Sequence, residues 1–354
     1  MKRLLVAIFC FLSVAAYANE PAATTAEATD KEAFSPGEMI LHHIGDSHEW
    51  HFATIGDEAH GTHLTIPLPV IAYRPAQGLS VFSSSQLAEG KVYDGLKLEH
   101  EHLVAEDGSK VYDFSITKNV ASLMLSAALL LVVFTAVARG YAKRGTGAPK
   151  GIQSFFEPII VFIRDEVAKK SIGPKYERYM PYLLTVFFFI WFNNLMGLMP
   201  GGANLTGNIA VTLTLAVLTL LITLFSSNKN YWHHIFATPG VPKALLPIMI
   251  PVELIGIVVK PFSLMVRLFA NITAGHIVIL SFISLIFIFG SVTVAPVTLA
   301  FGLFINMLEL LVAILQAYIF TLLTAMYIGG AVEEHHDADY QMGGGDGADT
   351  AHTH

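Results

Sequence analysis

The chain reads as an all-α polytopic membrane protein with about five transmembrane helices, preceded by a small β-rich region. Three observations predict this. Of 354 residues, 53% are hydrophobic and only 14% charged, a balance too apolar for a soluble domain. Five apolar runs follow one another after residue 117. The stretch ahead of them instead alternates apolar and polar residues between Gly and Asp turns. The net charge of −7 is modest, and nothing favours nucleic acid as a partner.

Residues 1–18 have the form of a secretory signal peptide: Lys2 and Arg3, an apolar core, then Ala16-Tyr17-Ala18 as a small-residue cleavage pattern. The run is too short to span a bilayer comfortably. The single cysteine, Cys10, lies within it, which removes disulfides and thiolate metal sites from consideration. Residues 19–37 form a polar, Ala/Thr-rich linker. Residues 38–116 carry short alternating stretches around 63–73, 79–82 and 110–116, predicting an exported β-rich region or a strand-like arm lying on a partner. Its histidines, His42, His43, His48, His51, His60 and His63, define no second ligand pair and read as solvated surface residues; no metal site is expected. The same holds for His335, His336, His352 and His354.

The first span, 120–138, ends at Arg139, Lys143 and Arg144, which the positive-inside rule assigns to the cytoplasm. Residues 152–172 mix apolar positions with Arg164, Asp165, Glu166, Lys169 and Lys170, so they predict an amphipathic helix on the cytoplasmic face. Spans at 182–199 and 209–225 are joined by a tight Pro200-Gly-Gly turn, and 229–243 returns to the cytoplasm as a loop. The runs 247–289 and 294–328 would measure roughly 64 and 52 Å as helices, against a hydrocarbon core of about 30 Å. Steep inclination accommodates both; a break near Pro261 would leave a poor span containing Glu253 and Lys260. Residues 331–354 are a disordered acidic tail. The mature N-terminus is then periplasmic and the C-terminus cytoplasmic, in a bacterial inner membrane.

Polar residues are sparse in the last two runs, so each can be weighed. Arg267 sits mid-run, where a permanent cation costs about 2.5–3.5 kcal/mol on insertion scales. Glu253, Lys260 and Arg267 are seven apart, and Ser263, Arg267 and Asn271 four apart, so one helix side carries a polar stripe. The second helix carries Asn306, Glu309 and Gln316. In an antiparallel pair with Arg267 level with Gln316, His276 comes level with Glu309, about 14 Å along the helix from Arg267. Glu253 lies about 21 Å the other way. Two titratable zones thus flank a fixed positive charge, and a His–carboxylate pair can relay protons near neutral pH. The carboxylate that Arg267 would act on is not in this chain, so a partner must bring it. Thr212, Thr214, Thr321 and Thr324 read as backbone hydrogen bonders, Asn193 and Asn194 as helix-packing residues, and Lys260 equally as a snorkelling side chain.

With Leu264-Met-Val-Arg-Leu-Phe-Ala-Asn-Ile-Thr-Ala-Gly-His276, Leu315-Gln-Ala-Tyr-Ile-Phe320 and Asn194-Leu-Met-Gly-Leu-Met-Pro200, the chain resembles subunit a of the F-type ATP synthase, over roughly 120–328. The resemblance implies a proton-translocating stator subunit without catalytic chemistry or cofactor. Its partners would be the c-subunit ring, b-type peripheral stalk subunits, the remaining synthase subunits and membrane lipid. It assigns Arg267 to the ring carboxylate with Gln316 and Asn271 nearby, His276 and Glu309 to the half-channel on the exported side, and Glu253, Lys260 and Ser263 to the cytoplasmic one. Some members carry acid and histidine in the reverse order; here His comes first. The long exported region departs from the family pattern. The rivals are a self-contained secondary transporter with an anion site at Arg267, for which no internal repeat is seen, and a non-transporting assembly protein working through its exported region.

Overall fold

A computed structural model describes residues 45–55, 62–99, 102–145, 147–199, 202–236, 245–289 and 295–332. The signal peptide and linker (1–37) and the tail from 333 onward lie outside the described residues, as do His42, His43 and His60.

The first part is β-rich. Strands β1 (Glu49–Ile55) and β2 (Thr62–Pro67) form a hairpin, with a register shift between His51 and Ala53. Strands β3 (Pro69–Arg74), β4 (Gly78–Ser83) and β7 (Tyr112–Asp113) form an antiparallel sheet in the order β4-β3-β7, and β5 (Leu96–Glu99) pairs with β6 (His102–Ala105). Val70, Ala72 and Phe82, on alternate positions of β3 and β4, join Leu87, Leu96, Leu103 and Ala105 in a small core. Such a core favours a folded region over a free arm. Two polar groups are buried with it. Arg74, 2% exposed, bonds Asp94 at 2.9 Å. His48, 3% exposed, bonds Asp113 at 2.9 Å. The solvated-surface reading of His48 is therefore wrong: its ring ties the chain ahead of β1 to β7, a long-range pairing that local pattern does not reveal.

Eight α-helices follow among the described residues. Helix α1 (Lys118–Arg144) is the first apolar span. Its N-terminus is capped from the β-rich part: the Asp46 carboxylate accepts from the Asn119 amide at 3.0 Å, and the Ser47 carbonyl from the Lys118 amide at 2.8 Å. An acid there also meets the positive end of the helix dipole. The amphipathic segment is α2 (Ile152–Phe162), a π-turn (Ile163–Ala168) and α3 (Lys169–Ile172). Phe156, Ile163, Val167, Ala168 and Ile172 are buried on one side, while Arg164–Asp165, Lys169–Asp165 and Lys170–Glu166 pair on the other. Helix α4 (Tyr176–Gly197) and α5 (Ile209–Ser226) are linked through the short 3-10 turn Leu205–Gly207, and Asn208 caps α5 by accepting from the Ala210 amide. This connection is longer than the tight turn predicted, because Asn204 and Asn208 each start a helical segment.

Helix α6 (Lys229–Phe236) stands where only a loop was predicted. Helices α7 (Leu246–Phe289) and α8 (Ala295–Val332) have 44 and 38 residues, about 66 and 57 Å. Helix α7 runs unbroken through Pro251 and Pro261, as the inclined-helix expectation required. Helix α8 includes Ala331 and Val332, which the sequence reading gave to the tail. The core of the helical part gathers Leu183, Phe188 and Ile190 of α4, Leu264, Leu268 and Ile272 of α7, and Ala317, Phe320 and Ile328 of α8. At Gly329 a Cβ would lie 1.8 Å from the Ser171 carbonyl oxygen, so only glycine lets α8 cross the amphipathic segment this closely.

Candidate functional site

Helix α7 separates its residues by face. Leu264, Met265, Leu268 and Ile272 are buried, whereas Lys260, Ser263 and Asn271 are exposed and Glu253 and Arg267 partly so. The predicted polar stripe therefore lies on the outer side of the helix, open to a neighbour. No hydrogen bond joins Arg267 to Gln316, which is buried at 5% exposure on the packed side of α8. The expected cation–amide contact is not made within the described residues.

The imidazole and carboxylate expected to meet do so. His276 Nδ1 lies 3.5 Å from Glu309 Oε1, with the glutamate side chain only 4% exposed. Gly275 sets the fit, while Gly197 stands at ordinary contact distance. A Cβ on Gly275 would come within 2.7 Å of Glu309 Oε1, and one on Gly197 within 3.7 Å of His276 Nε2. Both Glu309 oxygens, and the Thr273 hydroxyl nearby on α7, are buried without a hydrogen-bond partner among the described residues. A buried oxygen without a donor costs on the order of 1–3 kcal/mol, so a proton or a water has to satisfy it.

Asn194 frames this site. Its amide donates to the Ala313 carbonyl on α8 at 3.1 Å, and its oxygen accepts from the Thr206 hydroxyl at 2.6 Å. The motif from Asn194 to Pro200 thus joins α4, the connection to α5, and α8 four residues from Glu309. Asn193 bonds within its own helix, to the Phe189 carbonyl. Thr212, Thr214 and Thr321 donate to backbone carbonyls as predicted, but the Thr324 hydroxyl is buried without a partner among the described residues.

At the other end of the pair is a cavity of about 610 Å³. Glu253 and Lys260 from α7 line it with Tyr231, His233 and His234 from α6 and Tyr327 from α8. The Lys260 ammonium sits 5.9 Å from the centre of the Tyr327 ring, and Tyr327 is close enough to Arg267 to feel its charge. Pro261 and Ile257 are on the wall too. Having no N–H, Pro261 leaves the Ile257 carbonyl without its usual helical donor. Ser263 does not line this cavity. Sequence reasoning missed the α6 side chains because eight residues fall short of the window over which a helical period can be read. Among the described residues no cluster of His, Cys, Asp or Glu could hold a metal ion.

Residues 120–329 match a family model described as "ATP synthase A chain", and residues 39–123 one described as "Domain of unknown function (DUF8433)". An ATP synthase subunit a of Chloroherpeton thalassium is 50% identical over 234 residues, covering 64% of this chain and 70% of its own. An ATP synthase subunit a 2 of Chlorobaculum tepidum is 41% identical over 333 residues, 92% of this chain and 80% of its own. A subunit a of Chlorobium phaeobacteroides is 41% identical over 343 residues, 94% and 87%. Alignments this long take in most of the β-rich part, so it is shared with these relatives rather than peculiar to this chain. The family match spans more than half the sequence, five helices among the described residues are long and apolar enough to cross a membrane, and the chain belongs to the ATP synthase subunit a family.

Proposed function

We propose that this chain is the proton-translocating stator subunit of an F-type ATP synthase, supplying two half-channels and the arginine that acts on a ring carboxylate. The observation that supports it most is the order of polar features along α7: a buried His276–Glu309 pair, an outward-facing Arg267, and an open cavity holding Glu253 and Lys260. Protons enter by the His276–Glu309 side, taken to be periplasmic, and neutralise a carboxylate on the c-subunit ring. The neutral site then turns through lipid. On its return, Arg267 favours the ionised form, lowering the carboxylate pKa by about 1–3, and the proton leaves through the Glu253 cavity. Arg267 also keeps protons from crossing directly, because its charge is permanent. Asn271 and Gln316 flank the exchange, and Ser263 lies on the stripe toward Glu253. The driving force is about 2.3 kcal/mol per charge for each 100 mV. ATP is made elsewhere in the complex.

The test is Arg267→Ala in membrane vesicles containing the assembled complex. ATP-driven proton pumping should fall by about two orders of magnitude, the scale of losing a positioned electrostatic group. Pumping at the unsubstituted rate would overturn the reading.

A further inference from the structure

The Glu253 cavity has a wall that the function above does not use. Helix α6 places His233 and His234 in its last turn, both exposed and both lining the cavity. Adjacent helix positions point about 100° apart, so the cavity wraps around this end of α6. The helix is firmly seated. The Asn228 amide donates to the Ala331 carbonyl at 2.9 Å and its side chain to the Val332 carbonyl at 2.7 Å, satisfying orphan carbonyls at the end of α8. Trp232 Nε1 donates to the Ser227 hydroxyl, and Ile235 is buried.

We propose that His233 and His234 are the proton-exchanging mouth of this cavity, passing protons between Glu253 and the bulk solution. The inference rests on the function proposed above. A protonated Glu253 gives its proton to one imidazole nitrogen through cavity water, leaving a carboxylate and an imidazolium. The imidazolium then gives a proton to a buffer base, restoring neutral imidazole; uptake runs the same steps in reverse.

Three features of the cavity fit this role. Imidazole is the side chain that holds and releases protons near neutrality. Both rings sit at the C-terminal end of α6, the negative end of its dipole, on the cavity wall. The other titratable groups around the cavity do not compete: Lys260 is the only other basic residue on the wall, and burial, then the Glu253 charge, push the Tyr231 phenol above its ordinary range. Tyr327 faces Lys260. There is also a kinetic reason for such a mouth. At neutral pH free protons reach a single site only roughly 10²–10³ times per second, taking a diffusion limit of about 10⁹–10¹⁰ M⁻¹s⁻¹. Exchange with buffer through accessible imidazoles escapes that ceiling.

The experiment is ATP-driven proton pumping in inverted vesicles carrying the whole complex, comparing His233→Gln/His234→Gln with the unsubstituted chain in weak and strong buffer. In weak buffer the double variant should pump about five-fold more slowly, and about 50 mM external imidazole should restore it to within about two-fold. Co-purification of the ring subunit checks that the complex is assembled. Unchanged pumping in weak buffer, or a loss in assembled complexes that imidazole does not relieve, would overturn the proposal. Arg267→Ala run in parallel separates the two ideas. If it stops pumping while the double variant behaves as the unsubstituted chain, only the histidine mouth is wrong. If it pumps normally, the parent reading fails.

Discussion

Two imidazole–carboxylate pairs among the described residues, His48–Asp113 and His276–Glu309, are built differently. In the β-rich part, His48 meets Asp113 at 2.9 Å, and the Ser115 amide donates to the other Asp113 oxygen at 2.8 Å. In the helical part, His276 and Glu309 stand 3.5 Å apart, and neither Glu309 oxygen has a hydrogen-bond donor among the described residues. In the first pair each Asp113 oxygen has a donor, so the carboxylate can stay as it is. The second carboxylate is the more deeply buried, 4% against 33% exposed, yet neither of its oxygens has a donor among the described residues, a cost of a few kcal/mol that packing alone does not explain. Type and proximity therefore do not mark a proton-handling pair. A carboxylate without donors does, since one that already holds a donor on each oxygen gains little by taking up a proton.

The largest effect that could break this contrast is Glu309→Gln. The substitution keeps the shape and removes the titrating group, so proton pumping should drop by about 10²-fold, within the usual range for a lost acid–base group. Assembly should persist, because the glutamate makes no hydrogen bond that the fold relies on. Pumping at the normal rate would reduce the pair to packing. A finer probe is Gly275→Ala. The new Cβ would meet the Glu309 carboxyl at 2.7–2.9 Å, the far end of a flexible side chain, which can swing aside at little cost to folding. Swinging aside moves it from His276, so pumping should fall by about three- to ten-fold with the titrating group still present. If Gly275→Ala pumps normally, the position of the carboxyl does not matter.

The helical architecture was readable from the sequence because long apolar runs are unambiguous, and few polar residues interrupt them. The antiparallel register that joins His276 to Glu309 followed from simple counting along two helices. The outward direction of Arg267 was harder: spacing groups it with Ser263 and Asn271 but does not say whether that face meets Gln316 or a neighbouring chain. The seating of helix α6 was missed because it runs through Asn228, which bonds the end of α8 about a hundred residues away in sequence. The burial of His48 and the capping of α1 by Asp46 escaped for the same reason. Each rests on a contact between distant segments, and no local pattern encodes it.

The smallest expected effect tests the satisfied pair. Burial alone would raise the Asp113 pKa, but hydrogen bonds from His48 and Ser115 outweigh it and lower it to about 2. An ordinary aspartate titrates near 3.9. The group whose folded pKa is depressed contributes stability that is complete above about pH 4 and is lost as the pH falls through about 2. Replacing His48 by Gln weakens the hold on the carboxylate and raises its folded pKa, so acid unfolding of the β-rich part should begin about half a pH unit higher. Trp50 on β1 can report this by its emission, in a chain whose Trp191 and Trp232 are changed to Phe. Proton pumping at neutral pH should not change, since Asp113 stays ionised there with or without His48. A pumping defect in His48→Gln with an unshifted acid transition would mean that this pair also handles protons, and the distinction between a satisfied and an unsatisfied carboxylate would fail.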